Sequence, residues 1–402
     1  MSNRVVVIGG GAAGFFAAIN IAEQHPDAKI TILERGNAVL TKVKVSGGGR
    51  CNVTHAQFIP KELVGNYPRG YKELLGPFHK FMTGDTIEWF ENRGVALKIE
   101  DDGRMFPVSN SSQSIIDCFV GEANKHHVEV LLNHSVKQIL KEDNTYKITT
   151  SKGALIADKL VVATGSNPKI WQVLQGLGHS ISTPVPSLFT FNIKDKRLKD
   201  IPGVVAQDVD IKVLGTDLFS DGPLLVTHWG LSAPSILKLS AFGALELAKR
   251  DYKFKIEVNF IKQETSDCLD LLKTLKHDLA KKTVYKSPQF DLPKRLWYQL
   301  VLASAITAVT RWADLNKQQL EALANQLTKA VFTVDGKSTF KDEFVTAGGV
   351  NLKEINFKTL ESRLHPNLYF AGEVINVDAV TGGFNFQNAW TTAYIVSQNI
   401  FN

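Results

Sequence analysis

The first forty residues constrain this chain more than any other stretch. Arg4-Val5-Val6-Val7-Ile8 is a short apolar, β-branched run, the composition of a buried strand. Gly9-Gly10-Gly11-Ala12-Ala13-Gly14 follows at once, and Phe15 to Glu23 continues with no helix breaker. Lys29-Ile30-Thr31-Ile32-Leu33 reads as a second strand that ends at Glu34, twenty residues past Gly14. Strand, glycine turn, helix, strand and acid in that order predict a dinucleotide-binding βαβ unit. Gly9 serves the tight turn, Gly11 leaves room for a pyrophosphate, and Gly14 lets helix and strand pack closely. Ala12 and Ala13 open a helix whose unpaired N–H groups and positive dipole end face the phosphates. Glu34 is placed to accept from a ribose hydroxyl, which argues against a 2′-phosphate and leaves FAD or NAD. A glycine turn with no ligand would need none of the flanking context.

A chain of 402 residues is long enough for two or three domains with a substantial core. No run of eighteen or more apolar residues occurs, so no membrane span is expected. The apolar start reads as the phosphate turn, not as a secretory leader. Cys51, Cys118 and Cys268 lie far apart, with no C-x-x-C pair and no zinc spacing, which suits a reducing cytoplasm. The net charge of +6 is concentrated: Lys249 to Arg295 holds twelve Lys/Arg and seven Asp/Glu, an excess of five. A solvated helical surface explains this, and so does a face for an anionic partner such as RNA.

Beyond the second strand, Lys42 leads to Ser46-Gly47-Gly48-Gly49-Arg50-Cys51-Asn52, read as a loop whose backbone N–H groups face a ligand. Residues 60–76 read as a polar connection, and Gly84 to Arg93 as a helix. Gly103 to Asn110 reads as a loop, with Ser109 or Asn110 capping the next helix. Val128–Leu132, Ser135–Leu140 (which contains Val136) and Tyr146–Thr150 read as strands. Lys159 to Ala163 is a buried-strand run closing on Thr164-Gly165, a second backbone approach to the same cofactor. Pro184-Val185-Pro186 marks a domain crossing. A small β domain follows, then a helical insert from Thr265 to Ala330, then strands at Phe332–Val334 and Glu343–Ala347. Asn367 to Phe370 is a last strand ending in Ala371-Gly372-Glu373. Asp378 and then Gly382-Gly383-Phe384-Asn385 lead into a C-terminal helix. A fold begun at Met1 and completed at the C-terminus suits FAD better than NAD. Asp378 is placed for the ribityl chain and the Gly383–Asn385 backbone for the isoalloxazine carbonyls. No second G-x-G-x-x-G is present, so a separate nicotinamide domain is not expected; NADH or NADPH docking transiently as reductant stays open.

With these stretches assembled, the chain resembles the aminoacetone-oxidase-like, BaiN-type FAD-binding flavoproteins of bacteria. The likeness rests on Val7–Gly14, the Ser46–Asn52 block, Gly103-Arg104-Met105-Phe106-Pro107, Thr227–Ser232, Leu292–Leu296, Val345–Val350, Phe370–Glu373 and Thr381–Asn385. It implies an α/β protein with a split Rossmann-like, glutathione-reductase-like FAD domain at 1–186 and 344–402. It also implies a β-barrel-like domain at 187–262 with a strand return near 331–343, and a helical domain at 263–330. The implied FAD contacts are Gly9, Gly11, Ala12, Ala13, Gly14, Glu34, Arg35, Lys42, Ser46, Gly47, Gly48, Gly49, Arg50, Cys51, Asn52, Val136, Ala163, Thr164, Gly165, Gly372, Glu373, Asp378, Gly382, Gly383, Phe384 and Asn385. The chain departs from the pattern at Ala233 and Ala379, where glycine is usual, and at Thr391-Thr392-Ala393, in place of a Ser-Gly-like helix opening.

The resemblance implies an FAD-dependent oxidoreductase that transfers hydride or electrons, with substrate between the flavin and the inserted domains. Family members are linked to amine oxidation, to steroid transformation and to reduction of uridine in ribosomal RNA. An RNA-modifying reductase using the basic insert is the second reading, and a non-catalytic FAD scaffold the third. Two side chains are candidates for chemistry. Cys51 beside Arg50 is either a low-pKa thiolate or a small residue buried behind the glycine loop. His228 is either an acid or base near the ring or a capping or core histidine. Trp390 and Phe384 are expected to pack on the flavin or the core, and Trp297 and Trp312 within the helical insert. No metal site is expected.

Overall fold

The computed structural model describes residues 3–338 and 345–402. The chain divides into two compact units, one of Met1–Pro186 with Lys341–Asn402 and the other of Ser187–Phe340.

The first unit is built on a parallel sheet. Its strands lie in the order Leu368–Phe370, Lys159–Val162, Arg4–Ile8, Lys29–Leu33, Glu129–Leu131, with Arg4–Ile8 at the centre. A strand covered on both faces must be apolar throughout, and Val5 to Ile8 are all buried. The antiparallel pair Ile355–Asn356 and Glu361–Ser362 closes one edge. The right-handed crossover expected of parallel neighbours runs through the helix Ala12–Gln24, ten of whose residues are buried. It packs against the C-terminal helix Phe384–Asn399, so the two ends of the sequence share one core. Phe16 stands at the junction, 4.6 Å from the Trp89 ring and 5.4 Å from Trp390. Trp390 is fully buried and donates to the Val53 carbonyl at 2.9 Å, so it is a core residue.

Several local expectations change. Residues 60–76 carry the helix Pro60–Leu63 and much of Tyr71–Phe78, the second opening at Gly70. Gly103 to Asn110 contains the strand Arg104–Pro107, which pairs with Leu97–Ile99 and Thr54–His55. The helix after it, Ser112–Lys125, is capped by Ser111, whose hydroxyl accepts from Gln113 N; Asn110 is left-handed at φ 55°. The strands expected at 135–140 and 146–150 are Val136–Glu142 and Thr145–Thr150, which form a hairpin extended by a third strand, Gly153–Ala157. Of the strand expected from Glu343, the described part is Val345–Val350; Glu343 and the end of the return near 331–343 lie outside the described residues.

The second unit is a seven-stranded antiparallel sheet with helices packed on it. Its order is Ala330–Asp335, Lys253–Asn259, Val205–Val213, Phe219–Val226, Gly230–Ser232, Thr190–Asn192, Lys337–Ser338. The first and last of these are consecutive in the chain. At Gly336 (φ 100°) the chain leaves one edge of the sheet and joins the other, which makes the sheet barrel-like. The helical stretch does not build a core of its own. Leu272, Trp297, Leu300, Trp312 and Leu323 belong to one cluster with Ile211, Ile256, Val258 and Phe332 of the sheet. Amphipathic helices need an apolar surface to cover, and here the sheet supplies it.

Candidate functional site

The glycine turn separates what the fold needs from what a ligand needs. A Cβ on Gly9 would stand 2.4 Å from the Ala163 carbonyl oxygen, and one on Gly14 would stand 1.9 Å from the Gly9 oxygen. Neither position has room for a side chain. A Cβ on Gly11 would meet nothing within 4 Å. Packing does not demand glycine there, and the open space lies at the N-terminus of the helix Ala12–Gln24, where Gly11 is the N-cap. Glu34 accepts from Gly10 N at 2.9 Å and Gly36 N at 2.7 Å, one bond to each oxygen. It therefore braces the turn, and its remaining lone pairs are what a ribose would meet. Arg35 beside it is exposed. An apolar cavity of about 370 Å³ lies next to this loop, lined by Phe15, Ala38, Val39, Val120 and Val130 among others.

A second group of expected residues comes together at the ends of the neighbouring strands. Ala163 N bonds Ile8 O, and Ala371 N bonds Val162 O. Gly165 is left-handed at φ 60°, and a Cβ there would stand 3.5 Å from a Glu373 carboxylate oxygen. Lys42 donates to that same oxygen at 2.8 Å. Gly372 N donates to the Thr392 hydroxyl at 2.9 Å, and a Cβ on Gly372 would press on the Ala13 methyl at 2.9 Å. Thr392 thus has a specific task at a position where the chain departs from the family pattern. Val136 is buried and pairs with Thr150 at the start of the hairpin.

The Ser46–Asn52 block is not a loop throughout. A helix starts at Thr41 and is broken at Ser46 to Gly48, with Gly47, Gly48 and Gly49 all left-handed. Gly47 has no room, since a Cβ would lie 2.9 Å from Phe106, whereas one on Gly48 would enter open space. Arg50 is held by Glu100 at 2.6 Å and stacks on the Phe106 ring at 3.9 Å. Cys51 is fully buried, and burial pushes its thiol up to about 12. The thiolate reading of Cys51 is therefore corrected: an anion has no solvation there, and the side chain is packing behind the loop. A bond with Ser46 lowers the thiol, and burial outweighs it.

The turn before the C-terminal helix is clasped by residues 52–69. The Asn52 amide oxygen accepts from Gly383 N at 3.1 Å, and its nitrogen donates to Thr54 O at 3.0 Å. A Cβ on Gly383 would lie 2.5 Å from the Thr54 oxygen. Val380 N bonds Asn66 O, and the Tyr67 hydroxyl donates to Phe384 O at 2.6 Å. Asn385 clamps Ala379 from both sides, accepting from its N–H at 3.0 Å and donating to its carbonyl at 3.1 Å. Asp378 is fully buried and held at two points by Arg69. The expected side-chain bond from Asp378 to a ribityl chain does not fit, because no surface of that carboxylate is open. Phe384 is buried and packs against Tyr67 and His55, so it is core. Asn66, Tyr67, Arg69 and His55 are the residues that sequence reasoning missed. They sit in or beside a stretch without spacing or periodicity, and only His55, directly after Asn52-Val53-Thr54, was near a motif.

Gly383 (φ 96°) is the N-cap of the helix Phe384–Asn399 and has no side chain to satisfy the first N–H groups of that helix. Among the described residues of the first unit glycine also opens the helix Tyr71–Phe78, at Gly70, where a Cβ would lie 2.4 Å from Val377; the starts at Gly11 and Gly383 are those that the first glycine motif and the last one supply.

These features are matched in known proteins. The HI0933-like protein Rossmann domain family matches residues 3–399. The chain belongs to that family. It is 27% identical to a 3-dehydro-bile acid delta(4,6)-reductase of Clostridium scindens, with 98% of each chain covered. It is 28% identical to a ribosomal RNA dihydrouridine synthase of Haemophilus influenzae, again with 98% of each covered. Among solved structures, a 3-ketosteroid-delta4-(5alpha)-dehydrogenase of Rhodococcus jostii RHA1 superposes with a TM-score of 0.50 at 12% identity, covering 98% of this chain and 97% of that one, a likeness of fold.

Within this HI0933-like chain, His228 belongs to the second unit. It is exposed, in the turn between Phe219–Val226 and Gly230–Ser232. Part of the basic stretch of that unit is paired. Arg250 bonds Glu246, Lys262 lies among Asp208, Asp210 and Asp221, Lys273 bonds Asp270, and Arg295 donates to the Asp200 carbonyl. Among the described residues no helix is long and apolar enough to cross a membrane.

Proposed function

We propose that this FAD-dependent oxidoreductase works on a carbon–carbon double bond conjugated to a carbonyl, adding a hydride and a proton across it. The observation that carries the cofactor's place in the reading is the helix start at Gly11, where a Cβ would meet open space, in one unit with the helix start at Gly383. FAD, when bound, supplies the hydride chemistry at its flavin ring. Gly11 and the start of the helix Ala12–Gln24 hold the pyrophosphate. Glu34 meets the adenosine ribose. With the Gly383 N–H held by Asn52, the N–H groups of Phe384 and Asn385 take the ring carbonyls, where the positive end of a helix favours the negative charge of the reduced ring. The names of the two full-length relatives support the reaction class: a delta(4,6)-reductase and a dihydrouridine synthase both saturate such a bond. Three free cysteines support a reducing compartment, the cytoplasm.

The test is anaerobic. The purified holoprotein is reduced with NADH or NADPH while the flavin absorbance is followed, then mixed with a 3-oxo-4,6-diene steroid or with unmodified ribosomal RNA. Return of the oxidised spectrum with a saturated product supports the proposal. A reduced flavin that neither acceptor reoxidises, but that small amines can generate, would mean an amine oxidase instead. The RNA arm is favoured by the Haemophilus relative and by the basic excess between Lys249 and Arg295.

A further inference from the structure

We infer that His55 is a positioning residue for the flavin ring: through one ring nitrogen it holds the Gly382 carbonyl, and so aims the N–H groups that follow it. The inference rests on the FAD reading above.

The imidazole is boxed in. His55 ends the two-residue strand Thr54–His55, whose partner is Arg104. Its own carbonyl accepts from the Thr83 hydroxyl at 3.0 Å. On one side stands Gly103, where a Cβ would lie 2.7 Å from Nε2. On the other the Phe384 ring stacks at 4.6 Å between centroids and 29° between planes. Nδ1 is 3.1 Å from the Gly382 carbonyl oxygen. A carbonyl only accepts, so Nδ1 carries the proton and donates. Burial lowers the basicity of the ring, outweighing the Gly382 bond and Asp102, while Arg104 lowers it further. The charged groups facing the ring are thus Asp102 and Arg104, of opposite sign. The neutral tautomer with the proton on Nδ1 satisfies the contacts.

Gly382 (φ 127°) and Gly383 (φ 96°) flank one peptide plane, which is free to rotate in the absence of an anchor. That plane carries the Gly382 carbonyl and the Gly383 N–H, and it sets the direction of the Phe384 and Asn385 N–H groups that follow it at the start of the helix Phe384–Asn399. Asn52 fixes Gly383 from its nitrogen side, and His55 fixes Gly382 from its carbonyl side. Removing the second anchor leaves the turn hinged at Gly383. Losing that aim weakens binding of the charged, reduced flavin more than of the oxidised one.

Two variants separate the bond from the bulk. His55→Asn keeps a donor close to the place of Nδ1 and loses the ring. His55→Phe keeps the ring and loses the donor. For each holoprotein the FAD dissociation constant is titrated and the flavin midpoint potential is measured by anaerobic dye equilibration. His55→Phe is expected to weaken reduced relative to oxidised flavin about tenfold, which lowers a two-electron potential by about 30 mV; His55→Asn is expected to stay within about twofold of wild type. Equal potentials and affinities in all three proteins overturn the inference and leave the FAD reading standing. A shift in His55→Asn as large as in His55→Phe overturns it too, since the donor would then not matter. Should His55→Phe fail to fold, His55→Ala, which also lacks the donor, takes its place with the same expected shift of about 30 mV and the same overturning result. A wild-type protein that holds no FAD overturns both readings.

Discussion

The Arg69 guanidinium grips the buried Asp378 carboxylate at two points, and a backbone bridge joins the same two residues. This pair ties the segment before the C-terminal helix to a stretch of chain more than three hundred residues earlier. Removing one partner from a buried pair leaves an uncompensated charge, which costs about 3–5 kcal/mol, whereas replacing both by apolar residues is much milder. Arg69→Ala is expected to lose that much in urea unfolding, and Arg69→Met with Asp378→Leu to recover most of it. Full stability in Arg69→Ala would mean that the pair is not what holds the turn.

Gly11 and Gly14 make opposite predictions. Gly14→Ala drives a methyl into the Gly9 carbonyl and should destabilise the unit with or without cofactor. Gly11→Ala meets open space, so the apoprotein should melt within a degree or two of wild type, while FAD affinity falls about tenfold or more, at least ~1.4 kcal/mol. Calorimetry of both apoproteins and a flavin titration check this. Unchanged affinity in Gly11→Ala would remove the pyrophosphate from that position.

Ala233 caps the helix Pro234–Phe242 with φ 85° and ψ 175°, a conformation that suits glycine. Its carbonyl accepts from Ile236 and Leu237, so the backbone is held where it is. Ala233→Gly should therefore raise stability by about 1 kcal/mol or more. A destabilised Ala233→Gly, measured by chemical denaturation, would show that the unfolded-state cost of glycine outweighs the strain.

His179 is buried between Glu354, bonded to Nδ1 at 2.9 Å, and the Ser362 hydroxyl, at 3.1 Å from Nε2. Burial lowers its basicity from the usual 6.5, more than Glu354 raises it, and His365 lowers it further. Below 6.5 the unfolded chain therefore binds a proton that the folded chain refuses, and stability rises with pH in that window. Burial would raise the Glu354 carboxyl, but bonds from Ser180 and His179 outweigh it and hold it below 4.5, so its share is lost as pH falls further. Wild type is expected to lose stability steadily from pH 6.5 downwards. His179→Gln should cost about 1–3 kcal/mol at pH 7 and show a flatter profile between pH 6.5 and 5. A profile as steep as wild type would place the titration elsewhere.

Cys51, buried and pushed up to about 12, should resist iodoacetamide at pH 8 in the native protein and react only on unfolding. Cys51→Ala is expected to keep flavin reduction by NAD(P)H within about threefold of wild type, a difference under ~1 kcal/mol. A hundredfold loss with FAD still bound would return Cys51 to the chemistry.

The βαβ start, Glu34 and the Gly382-Gly383 helix opening were legible because each is a short-range pattern, with glycines at fixed offsets from a strand or a helix. The clasp was not. Arg69 and Tyr67 act on residues 309 and 317 positions away, and nothing near them in the sequence records such partners. Asp378 was singled out by its place in a motif, yet its charge is spent on Arg69, which no local pattern could reveal. Cys51 left two readings open, thiolate or packing, and its complete burial decides for packing.

The strand Leu368–Phe370 and the helix Phe384–Asn399 complete a unit whose first strand begins at Arg4. Protein synthesis makes the phosphate turn well before the helix that packs against its own helix. Until residues 378–390 have been made, Phe16 lacks Trp390 and Arg69 lacks Asp378. A nascent chain that has made the phosphate turn and not yet the helix Phe384–Asn399 thus carries one half of the cofactor site without the half that closes it, and cofactor capture waits for the second half.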